Sequence, residues 1–316
     1  MTKKIKLGIS SCLLGEKVRY GGGHKRDRFI TNTLGQYFDW VPVCPEMACG
    51  LPVPREPMRL VRKPESPHLV TIKTGIDYTD KMEHWTKKEL ETLEKEPLCG
   101  FIFKAKSPSS GIGGIKVYLP SGEVTKTGSD IFGGAFMKHF PLIPVIDDGR
   151  LHNPVFRENF IERVFVFRRW HDFIQSNGTF NGLVDFHTRH KLLIMSHNPR
   201  HYSILGRWVA HTKGKKQETI FSEYIRDLME CLRLTATTKK NTNVLQHIQG
   251  YFKKRLTSEE KQELLDIITH YHNGLIPLIV PVTLVRHYVR KFDISYLKKQ
   301  YYLDPHPLEL MLRNHV

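Results

Sequence analysis

The chain has 316 residues, a formal net charge of +16 and a sequence pI near 9.6. That length exceeds one ordinary core, so two domains are expected, and 40% hydrophobic residues suffice to fill both. No apolar run approaches the ~20 residues of a membrane span, and the first residues lack a signal peptide's apolar stretch, so the cytoplasm is the expected compartment. Five cysteines, Cys12, Cys44, Cys49, Cys99 and Cys231, are too scattered for a disulfide framework and read as reduced thiols.

In chain order, IKLGIS (5–10), WVPVC (40–44) and GFIFKA (100–105) have the length and apolarity of buried strands, with helix-like stretches between them. This alternation predicts an α/β amino-terminal domain with a parallel sheet. DKMEHWTKKELETLEKEP places Trp85, Leu90 and Leu93 at helical spacing and stops before Pro97. PLIPVID (141–147) reads as a fourth strand and the following DDGR as a turn, which sets a boundary between domains 1–150 and 151–316.

Beyond it the spacing turns helical. RENFIERVFVFRRWHDFIQ, VDFHTRHKLLIMSH, ETIFSEYIRDLMECLRL, VLQHIQGYFKKRL and SEEKQELLDIITHYHNG all repeat apolar residues at three and four. Thr257 and Glu260 form a capping box for the last, and Gly274 stops it. The second domain is therefore expected to be all-α. It holds 25 Lys and Arg against 15 Asp and Glu, and 13 of the 17 His.

Each of the three strands runs into a loop rich in reactive side chains: SSCLLG, CPEMACG and KSPSSG. Carboxyl ends of neighbouring parallel strands share one edge of a sheet, so these loops should converge there. Cys12, Cys44, Glu46, Ser107, Ser109 and Ser110 would then meet. Two thiolates beside a carboxylate can ligate a soft metal or cluster, although Cys12 and Cys44 also read simply as small apolar residues at strand ends. Cys99 and Cys231 read as core residues.

The excess of positive charge favours a polyanionic partner, because each Lys or Arg set against a phosphate releases counterions. In the helical half basic residues interleave with aromatic ones: Arg168, Arg169 and Trp170; Phe186, His187, Arg189, His190 and Lys191; Tyr251, Phe252, Lys253, Lys254 and Arg255; Arg286, His287 and Tyr288. Together they pair phosphate-binding charge with possible base-stacking surfaces, and Arg189, Lys191, Lys253, Lys254, Arg255 and Arg286 are the candidate RNA contacts. Singly, each aromatic reads equally as core. His187 with His190, and His270 with His272, lack the further ligands of a zinc site.

SSCLLG with VRYGGGHKRD, VCPEMACGLPVPREPMRLV and FKAKSPSSG resembles the thiouracil desulfurase family, over about the first 140 residues. FHTRHKLLIMSH, NVLQHIQGYFKKRL, GLIPLIVPVTLVRHY and PHPLELMLRN resemble the YbgA-like helical domain. Joined in this order, the halves look like tRNA 4-thiouridine desulfidases.

That resemblance implies a 4Fe-4S cluster held by three cysteines, with an open iron taking sulfur from the thiocarbonyl. Cys12 and Cys44 match two ligands, and Glu46 and Ser107 match the residues used for proton transfer and activation. The reaction implied is conversion of 4-thiouridine in tRNA to uridine. The family's KSPSCG reads KSPSSG here, so Ser110 replaces the third thiolate, and Gly21 replaces the Asp of RYDGG. A hydroxyl is a poor ligand for iron-sulfur chemistry. Three outcomes are open: Cys49 supplies the third thiolate, Ser110 completes an atypical cluster, or the chain is a cluster-less homologue retaining RNA binding. A desulfurase for free bases such as thiouracil is a further alternative.

Overall fold

The computed structural model describes residues 4–62, 67–127, 130–210, 214 and 216–315. The chain divides into two compact units, Met1–Asn153 and Pro154–Val316.

The first unit carries strands β1 (Ile5–Ser10), β2 (Phe38–Val43), β3 (Met58–Arg62), β4 (Pro67–Thr71), β5 (Leu98–Phe103), β6 (Ile115–Tyr118), β7 (Val124–Thr127) and β8 (Val145–Asp147). Its helices are α1 (Pro45–Ala48), α2 (Thr79–Leu93), α3 (Ile131–His139) and α4 (Asp148–Leu151). The expected parallel sheet is present, in the order β2-β1-β5-β8 with all three pairings parallel. Every residue of β5 is buried, as an interior strand covered on both faces requires. Phe101 and Phe103, two residues apart and hence on one face, stack at 4.1 Å between ring centroids and pack on Phe132 and Phe136 of α3. Gly8 in β1 makes room for them: a Cβ there would lie 2.1 Å from a Phe101 ring carbon.

A second, mixed sheet, ordered β4-β3-β6-β7, is absent from the sequence expectation. Its strands MRLVR and IKVY are short and carry charges, which hides the period-two signal. Leu60, Leu69, Ile115 and Val117 from this sheet pack with Met82 of α2 and with Cys49. DDGR, expected as a turn, is helical: the Asp147 side chain accepts from Arg150 N and caps α4.

The second unit is helical, as expected: α5 (Pro154–Asn177), α6 (Phe180–His197), α7 (Pro199–Ala210), α8 (Gln217–Arg233), α9 (Thr238–Tyr251), α10 (Ser258–His272), α11 (Ile279–Lys291) and α12 (Ser295–Lys298). The Thr257–Glu260 capping box forms at α10 with both reciprocal bonds. Among the described residues, no helix is long and apolar enough to cross a membrane. Trp170 of α5 stacks on Tyr224 of α8 at 5.6 Å in the middle of this core.

Candidate active site

The sheet order puts β2, β1 and β5 side by side, so the loops leaving their carboxyl ends do converge. They line a solvent-accessible cleft of about 210 Å³ whose wall includes Cys12, Cys44, Glu46, Ser107, Ser109 and Ser110. Cys12 follows β1 in a single turn of 3-10 helix, Ser11–Leu13. Cys44 follows β2 in extended backbone and immediately precedes α1, whose first turn presents Glu46. The serines leave β5 through Lys106, which holds a left-handed φ of 58°, a strained position that only fixed surroundings maintain.

Glu46 is clamped at both oxygens. Arg55 Nη2 pairs with Oε2, and Ser109 Oγ donates to Oε1 at 2.7 Å. Arg55 is itself fixed by Val18 O at 2.9 Å and Pro52 O at 3.3 Å. Because Ser109 spends its proton on Glu46, the 3.2 Å contact between Ser107 Oγ and Ser109 Oγ has Ser107 as donor. Ser110 Oγ in turn donates to Ser107 Oγ at 3.1 Å. The three hydroxyls thus form a directed chain, Ser110 to Ser107 to Ser109, ending on the Glu46 carboxylate. The Ser109 and Ser110 amides also donate to Ser107 Oγ, at 3.4 and 3.3 Å, which fixes the loop.

Burial pushes the Cys12 thiol up to about 11, partly opposed by Lys104, and burial likewise raises Cys44. Both are therefore protonated thiols at neutral pH unless a cation binds them. Lys104 meets Asp148 Oδ2 at 2.8 Å, while Ala105 N donates to Oδ1 at 2.6 Å.

The residues present do not fit a cluster held by three thiolates. Ser110 is buried and its proton is already given to Ser107. Cys49 does not line the cleft: its Sγ lies 3.6 Å from Met82 Sδ and 3.8 Å from Lys81 O, within the core of the second sheet. It follows the last residue of α1, and its sulfur packs against Met82 of α2. Among the described residues, no group of three or more His, Cys, Asp or Glu gathers as a metal site. Gly21 is exposed and a Cβ there would meet nothing within 4 Å, so nothing in the packing demands glycine in place of aspartate.

In the helical unit most of the stacking surfaces expected from sequence are core, while Tyr251 and His287 are exposed. Trp170, Phe186, His187, His190, Phe252 and Tyr288 are all buried, because helical spacing turned them inward. Arg169 is spent on Pro305 O and on the face of Tyr301, 3.9 Å away. Of the candidate RNA contacts, Lys253 and Lys254 are exposed beyond the end of α9. Arg255 is exposed and donates to Phe292 O at 2.9 Å, Arg189 pairs with Asp185 at 2.7 Å, and Arg286 lies 3.9 Å from Asp304. Lys191 is half-buried over Tyr202.

Two participants were not assigned from sequence, Arg55 and the Lys104–Asp148 pair. Arg55 stood in the PREP segment after CPE, where an arginine nine residues beyond a candidate carboxylate was the available signal. Nothing local links Lys104 to Asp148, 44 residues away.

Residues 7–148 match the 2-thiouracil desulfurase family, and residues 191–307 match a family of unknown function, DUF1722. The uncharacterized protein YbgA of Escherichia coli strain K12 is 29% identical over 160 residues, 50% of this chain and 95% of that protein. The uncharacterized protein YbbK of Bacillus subtilis strain 168 is 30% identical over 110 residues, 33% of this chain and 72% of that protein. A solved [4Fe-4S]-dependent thiouracil desulfidase, TudS, is 28% identical and aligns over 47% of this chain and 94% of its own, with a TM-score of 0.37.

Proposed function

Since the chain belongs to the 2-thiouracil desulfurase family through its amino-terminal unit and continues into a YbgA-like helical unit, we propose that it removes sulfur from 4-thiouridine in tRNA. The net reaction is hydrolysis: a thiocarbonyl and water give a carbonyl and hydrogen sulfide. The observation that carries this reading is the Glu46 carboxylate, held by Arg55 and Ser109 in the cleft that Cys12 and Cys44 also line.

Glu46 takes a proton from the water that adds to the carbon bearing sulfur. Arg55 keeps the carboxylate oriented, and the serine chain carries hydrogen-bond polarity toward it from the cleft wall. Expelled sulfide leaves among the two thiols and Lys104. A base in folded tRNA must leave its stack to reach such a cleft.

Bulk tRNA incubated with the protein without oxygen is expected to lose 4-thiouridine, measured by nucleoside mass spectrometry alongside released sulfide. Glu46→Ala should slow this about 10²- to 10⁴-fold, the usual contribution of a positioned general base. Free thiouracil turned over as fast as tRNA would move the substrate to the free base.

Ser110 favours a second reading, in which the chain keeps base and RNA binding without turnover. Unchanged 4-thiouridine with wild-type protein would select it.

RNA affinity is assigned to the exposed basic positions. Lys253→Ala and Lys254→Ala should each weaken tRNA binding without changing its sequence preference, and each should lower the slope of log affinity against log salt by about 1. An unaltered slope in the double variant would remove this surface from the interface.

A further inference from the structure

The helical unit contains a second cavity, of about 290 Å³, near the lower end of the range for ligand pockets. Its walls come from α5, the end of α6, the start of α9, α10 and the carboxyl-terminal segment, and carry Glu158, Glu162, His197, Asn241, Tyr271 and Arg313. Few apolar cores tolerate so many buried polar groups without a reason.

Most of these groups are satisfied internally. His197 meets acceptors at both ring nitrogens, Glu162 Oε1 and Leu234 O, each at 2.5 Å. Arg313 Nη1 donates to Tyr302 O at 2.6 Å and Nη2 to Glu162 Oε2 at 3.5 Å. Tyr302 Oη donates to Asn241 Oδ1 at 3.2 Å.

Two groups are left short. Arg313 is 5% exposed, yet its Nε lacks a hydrogen bond. The nearest Glu158 oxygen lies 3.4 Å from it, close enough for charge but not for an aligned bond. Glu158 otherwise has His315 at 3.7 Å. An underused acceptor thus stands beside an underused donor on the wall of one cavity. Arg313 and the His197 ring lie against Glu158 and Glu162, so the wall offers a donor beside an acceptor rather than a cluster of one sign.

We propose that this cavity binds a small neutral ring bearing an N–H beside a C=O, a uracil-type lactam, with Glu158 accepting the N–H and Arg313 Nε donating to the carbonyl. The site is independent of the amino-terminal cleft and of the reaction assigned there. Glu158 accepts most strongly when ionised, since the protonated carboxyl keeps only its neutral acceptor capacity. Burial raises its carboxyl to about 7 against Arg313, with Glu162 also raising it and His197 opposing, while His315 faces it from the chain end. Affinity therefore falls as the pH drops below about 7.

The test is equilibrium dialysis of uracil against the full chain, with 1,3-dimethyluracil, which keeps both carbonyls but has no ring N–H, as the comparison. Saturable uracil binding is expected, with 1,3-dimethyluracil at least about tenfold weaker because Glu158 is then left unmatched. Glu158→Gln should weaken uracil by about tenfold or more. Val155→Trp, at an exposed position on the cavity wall, should abolish binding while tolerating the larger side chain, and so decides the matter if Glu158→Gln does not fold. Glu46→Ala should leave binding unchanged. Absence of saturable binding, equal affinity for 1,3-dimethyluracil, or binding that Glu46→Ala removes and Val155→Trp spares would overturn the proposal.

Discussion

Ser110→Cys is expected to turn a colourless protein into a brown one. Purified without oxygen and reconstituted with iron and sulfide, the wild-type chain should bind little of either, because two thiols and a hydroxyl make a poor ligand set for a cubane cluster. The variant adds a third thiol to the wall that already carries Cys12 and Cys44, and should retain about four irons and four sulfides per chain. Burial currently keeps Cys12 and Cys44 protonated, but a bound cation reverses this, since metal binding releases the thiol proton. The substitution also deletes the first donor of the serine chain, so 4-thiouridine turnover should be followed together with iron content. A wild-type chain that holds four irons would show that Ser110 does serve as a ligand.

Glu162→Ala is expected to destabilise the helical unit by about 3–5 kcal/mol, the cost of removing one partner from a buried charged network. Glu162, His197 and Arg313 are each at most 5% exposed as side chains, and the truncation takes an acceptor from both Arg313 and the His197 ring. Denaturant unfolding followed by far-ultraviolet circular dichroism measures it, and a loss below 1 kcal/mol would contradict the network.

The pH dependence has two opposite limbs. Burial alone would raise the Glu162 carboxyl, but His197 and Arg313 outweigh it and hold the carboxyl below its ordinary value. Its contribution is therefore present above the unfolded value of about 4.3 and is lost as pH falls through the lower folded value. Glu158, raised to about 7, behaves the other way: its contribution is full below about 4.3 and is lost as pH rises through 7. These two groups together favour the fold most at about pH 4.3, where the two limbs meet, and Glu158→Gln should remove the decline on the alkaline side.

Much of the candidate site was legible because strand ends announce themselves. An apolar run stopping at SSC, at CPE or before KSPSSG shows where a buried strand meets a loop, and parallel order then forces those loops together. The fate of each cysteine was not legible. Cys49 lies five residues from Cys44, yet α1 carries its sulfur into the packing around Met82. Most of the aromatic residues of the helical unit turned inward for a related reason: interleaving with basic residues is what an amphipathic helix looks like along the chain, and only packing tells which side faces inward.

Local chemistry along the chain determined the strands of the parallel sheet, the capped helix α10, the helical character of the second unit and the identity of the residues able to act, since propensity, period and capping depend on neighbours a few positions away. Tertiary structure alone decided the second sheet, the Arg55–Glu46 clamp, the Lys104–Asp148 pair and the Glu158–Arg313 cavity. These join segments between 9 and 155 positions apart, and no local pattern encodes which distant partner a buried charge will meet.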